Sequence, residues 1–62
     1  MYDYADDSER YCIYAKRKNE KYSIWATTNV WSAAIEQINK IRQLGFKAKI
    51  YDRQKGKTVV YD

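Results

Sequence analysis

The residues able to make or break bonds are few. Cys12 is the only cysteine, and the chain has no histidine. A thiol attacks as its thiolate, and no imidazole is present to take the proton. The same composition excludes a Cys/His zinc site and a histidine acid–base site within the chain. Asp52 has the parity of a buried strand position, but it falls where a strand runs into the turn "QKGK". A carboxylate there bonds turn amides. Glu36 lies on the polar side of a helical pattern. The chain is therefore read as a non-enzyme, with no cofactor, no metal and no small-molecule substrate.

The richer group of residues is suited to binding. "FKAKIYD" alternates: Phe46, Ala48 and Ile50 point one way, Lys47, Lys49 and Tyr51 the other, with Arg53 next. Tyr14, Lys16 and Trp25 come from two earlier strands and fall on the same side. The expected binding face is Tyr14, Lys16, Trp25, Lys47, Lys49, Tyr51 and Arg53, with Cys12 and Val60 among them and no acid. Rings stack on bases for roughly 1–3 kcal/mol each, and cations neutralise phosphates. Such a face docks equally well on an acidic protein. No ribonucleoprotein signature, GXXG loop or zinc spacing is present. A protein partner is the preferred reading, and single-stranded nucleic acid is the alternative. Lysines are depleted in tight symmetric interfaces, which argues against face-to-face pairing, although a homodimer stays open. The size suits an inhibitor of a host factor of the kind carried by phages or other mobile elements.

Four strands and a helix must position these groups. "RYCIYAKRKNEKYSIWATT" reads as a hairpin turning at Asn19-Glu20, because Asn tolerates positive φ. That turn sets Ala15 opposite Ile24, Ile13 opposite Ala26 and Tyr14 opposite Trp25. "TTNVWSAAIEQINKIRQLGF" reads as a helix of about 15 residues, capped by Thr28 or Asn29 and stopped by Gly45 and Phe46. Trp31, Ala34, Ile35, Ile38 and Ile41 form its apolar stripe. "FKAKIYD" and "TVVYD" are a second hairpin around Gly56. The result is an α+β, two-layer ββαββ domain: an antiparallel sheet of three to four strands with one helix packed on one face. Ile13, Ile24, Ile35, Ile38, Ile41, Phe46 and Ile50 are the expected core.

The segment "AAIEQINKIRQLGFKAKIY", about a third of the chain, resembles the helix–Gly–strand half of a SPOR peptidoglycan-binding repeat. The other half of that fold is missing, and no glycan-binding role is carried over.

Sixty-two residues make one domain with a marginal core. Charge divides it unevenly. Residues 1–9 hold Asp3, Asp6, Asp7 and Glu9 and no base, giving −4. Residues 10–62 hold all twelve Lys and Arg against four acids, giving +8. The expectation is a mobile acidic leader over residues 1–9 and a basic domain over 10–62. A lone cysteine, with neither a signal peptide nor an apolar run of about 20 residues, points to the cytoplasm and away from the membrane.

Overall fold

A computed structural model describes residues 9–61. Of the expected leader over residues 1–9, residues 1–8 lie outside the described residues. Five elements follow one another: β1 (Tyr11–Lys16), β2 (Ser23–Thr28), α1 (Trp31–Gln43), β3 (Lys47–Asp52) and β4 (Lys57–Tyr61). The strands form one antiparallel sheet in the order β2-β1-β3-β4, and α1 packs against β1, β2 and β3 on one face. This is the α+β ββαββ domain that the alternation predicts. No helix among the described residues is long and apolar enough to cross a membrane.

The core lies between α1 and the inner strands. Ile13 pairs with Ile50 and Ala15 with Ala48 across β1 and β3. Ala34, Ile38 and Ile41 come down from the helix, and all seven are buried with Tyr11. Burying an isoleucine contributes about 1.5–3 kcal/mol. The alanine pair keeps the sheet surface low, so the helix sits close. Ile35 and Phe46 are only half-buried at the margins of this core.

Ile24 is not in the core. It is 59% exposed, because β2 carries a bulge, as β4 does on the opposite edge. Ile13 pairs with Ala26, but the next residue, Tyr14, pairs with Ile24, so Trp25 is an inserted residue. The expected pairs Tyr14–Trp25 and Ala15–Ile24 are replaced by Tyr14–Ile24 and Ala15–Ser23. Beyond a bulge the strand has the opposite parity, and Ile24 turns to the uncovered side. In β4, Ile50 pairs with Val60 and Tyr51 with Thr58, leaving Val59 as the extra residue. Val59 and Val60 both pack against the core, so Val60 is not on the uncovered face as expected.

The helix runs 13 residues, two shorter than expected, and neither Thr28 nor Asn29 caps it. Val30 holds the N-cap position with no side-chain bond to the helix. Thr28 Oγ1 accepts from the Val30 amide, and Asn29 Oδ1 accepts from the Arg10 amide at 2.8 Å, tying the loop to β1. The C-terminus stops as predicted. Gly45, at φ +84°, donates to Arg42 and Phe46 donates to Ile41, the two bonds of a Schellman motif. In the first hairpin, the Glu20 amide closes on the Arg17 carbonyl and Asn19 takes φ +68°.

Asp52 ties three segments together. Arg10 Nε and Nη2 grip its carboxylate at 3.1 and 3.0 Å, while Oδ1 also accepts from the Gln54 and Lys55 amides. The carboxylate is 2% exposed. Its pKa is held below the ordinary value, first by the Arg10 hydrogen bonds and then by the turn amides, against the opposing effect of burial.

Candidate functional site

The strand register fixes what stands on the face that α1 leaves uncovered. One row crosses all four strands as Thr27, Cys12, Tyr51 and Thr58. The next is Ile24, Tyr14, Lys49 and Tyr61. A third sets Lys16 opposite Lys47, with Tyr22 beside it just ahead of β2. Tyr14, Lys16, Lys47, Lys49 and Tyr51 therefore share the face on which alternation puts them.

Lys49 is the centre of this face. Its Nζ lies 4.4 Å from the ring centroid of Tyr22, 5.4 Å from Tyr14 and 5.9 Å from Tyr61. All three lie within the reach of a cation–π attraction. Tyr22 and Tyr61 also meet edge to face, 6.2 Å between centroids, so the rings arch over the lysine from the two edges of the sheet. Lys16 Nζ approaches the Tyr22 ring at 5.3 Å.

The electrostatics are one-sided. Lys16 and Lys47 stand directly across a strand pair, an arrangement in which like charges repel. Among the described residues, no carboxylate forms an ion pair with Lys16, Lys47 or Lys49. Arg53 lies at the far margin, where its Nε donates to Cys12 Sγ at 3.0 Å. Cys12 is 1% exposed. One acid does reach this face, contrary to expectation: the Glu9 carboxylate accepts from the Thr27 hydroxyl, at the row farthest from the lysines.

No protein-family model, curated protein or solved structure matches the chain. The functional reading is carried by the residues of the face.

Trp25 is not one of them. The bulge turns it to the helix side, where its indole N–H donates to Gln37 Oε1 at 3.0 Å. There it lines a groove of about 120 Å³ with Ala15, Lys16, Arg17, Glu20, Ser23 and Phe46. That volume falls well short of the roughly 300 Å³ at which ligand pockets begin. Trp25 is 41% exposed there, and the amide of Gln37 gives its N–H a protein partner at the surface.

Sequence reasoning missed Tyr22, Ile24 and Tyr61. An inserted residue leaves the alternation on each side of it intact, so β2 carries no written mark of its bulge. In β4 the doublet Val59-Val60 is such a mark, because two adjacent apolar residues can face one core only across a bulge. Reading that doublet puts Tyr61 beside Lys49.

Proposed function

We propose that this chain is a non-enzymatic binding module that docks through its uncovered sheet face on an acidic protein surface. The observation that carries the reading is the Lys16–Lys47 pair, set across β1 and β3 with Lys49 alongside and no described counter-ion. Repulsion between them is a standing cost that an incoming carboxylate relieves. Ile24 and Tyr61, 59% and 69% exposed, stand at the two ends of the neighbouring Tyr14–Lys49 row and supply apolar anchors. Cations around exposed apolar side chains suit a protein surface whose acids surround apolar residues.

Stacking of bases is the weaker use of this face. Base stacking needs free ring faces. Three of the tyrosines already direct theirs at Lys49, and Trp25, the largest ring, is on the other side.

Calorimetric titration with a glutamate–tyrosine copolymer and with oligothymidylate separates the two ligands. The copolymer is expected to bind more tightly, to weaken with salt, and to be lost in Lys16→Glu/Lys47→Glu. Tighter binding of oligothymidylate, with a linear dependence of log K on log salt, would replace this reading with the nucleic-acid one.

A further inference from the structure

We propose that Tyr14, Tyr22 and Tyr61 form a cage for a quaternary ammonium ion, and that Lys49 occupies it as an internal guest. Three rings from three separate segments converge on one nitrogen at 4.4–5.9 Å. Two of them are fixed by register, since Tyr14 and Tyr61 are the cross-strand neighbours of Lys49 on either side. The third is braced by its edge-to-face contact with Tyr61. Such a cage offers the negative faces of aromatic rings to a cation.

The resident guest fits that environment imperfectly. A lysine ammonium carries three N–H donors and is strongly hydrated. Lys49 is half-buried, and its Nζ makes no hydrogen bond to a described residue. The ring faces answer its charge but offer its N–H donors no oxygen or nitrogen acceptor. A quaternary ammonium has the same charge, no donors to satisfy and a smaller hydration to lose, so the chemistry of the walls suits it better. Lys49 can leave, because its four-carbon stem is flexible and Tyr61, one wall of the cage, is 69% exposed. While it stays, it competes as a tethered ligand, at an effective concentration of about millimolar or more. The site is thus closed to weak external cations until the ammonium of Lys49 is drawn away or removed. This cage stands whether or not the face docks on an acidic protein.

Proton NMR of the full chain tests the cage with choline and its neutral isostere, 3,3-dimethyl-1-butanol. In the wild-type protein the ε-methylene protons of Lys49 are expected upfield of every other lysine, from the ring currents above them, and to return in Tyr22→Ala. In Lys49→Ala, choline is expected to shift the ring protons of all three tyrosines saturably, about tenfold or more tighter than in wild type. The neutral isostere is expected to bind more weakly, and Tyr22→Ala in the same background to abolish the shifts. Lys49 ε-protons at the ordinary lysine position in wild type would overturn the proposal without recourse to any variant. So would a folded Lys49→Ala that choline does not shift, or one that binds the isostere equally well.

Discussion

Tyr22 and Tyr61 stand at opposite edges of a four-stranded sheet, yet their rings meet edge to face at 6.2 Å. Four flat strands would hold those edges about 14 Å apart. The contact closes because two long side chains lean inward over Lys49. An edge-to-face pair contributes about 0.5–1.5 kcal/mol beyond the area it buries. A double-mutant cycle on Tyr22→Leu and Tyr61→Leu, read from urea unfolding, should return a coupling of that size. Additive effects would mean that the rings do not touch in solution.

Lys16→Glu tests the electrostatics in two opposite directions. It turns a repulsive cross-strand pair with Lys47 into an attractive one, worth about 0.2–1 kcal/mol of added stability. The same change removes a cation from the proposed docking face. Lys16→Glu should be more stable beside Lys47 than beside Lys47→Ala, a comparison that cancels the lost Lys16–Tyr22 contact, and should bind the glutamate–tyrosine copolymer more weakly. No difference between the two backgrounds in urea unfolding would show that Lys16 and Lys47 do not face each other.

Ile24 and Ile38 distinguish the bulged register from plain alternation. Ile38 is fully buried under the helix, so Ile38→Ala should cost about 2–5 kcal/mol. Ile24 is largely exposed, and Ile24→Ala should stay within about 0.5 kcal/mol of wild type. Equal losses from the two substitutions in chemical denaturation would restore Ile24 to the core.

That pair also shows what could be read from the residues alone. β1 and β3 are the inner strands, and each must match two neighbours, so their alternation is strict and legible: Ile13, Ala15, Ala48 and Ile50 are all buried. The helix stripe and its glycine stop are legible for a similar reason, since 3.6-residue spacing and positive φ leave little choice. The outer strands match only one neighbour and tolerate an inserted residue. Their bulges reverse Ile24 and Trp25 and bring in Tyr61. The caging of Lys49 by Tyr22 and Tyr61 depends on which edges lie where, and strand order is not written in local periodicity.

Acid should weaken the domain through Asp52. The Arg10 hydrogen bonds and the turn amides hold its folded pKa below the ordinary carboxylate value. A depressed folded value means that the unfolded chain takes up the proton first. The contribution is therefore complete above about pH 4, the unfolded value, and is lost as pH falls through the lower folded value. Melting temperatures measured between roughly pH 5 and 2 should fall more steeply for wild type than for Asp52→Asn. Parallel profiles would mean that Asp52 is not held by Arg10.

Amide chemical shifts recorded while the glutamate–tyrosine copolymer is added to the labelled full-length chain test the central claim most directly, because they report where an acidic polypeptide sits. Changes are expected to cluster at Tyr14, Lys16, Tyr22, Ile24, Lys47, Lys49 and Tyr61, and to disappear in Lys16→Glu/Lys47→Glu. Changes concentrated instead on the outer side of α1, at Ser32, Glu36, Asn39 and Gln43, or persisting after the charge reversal, would contradict docking through the uncovered sheet face.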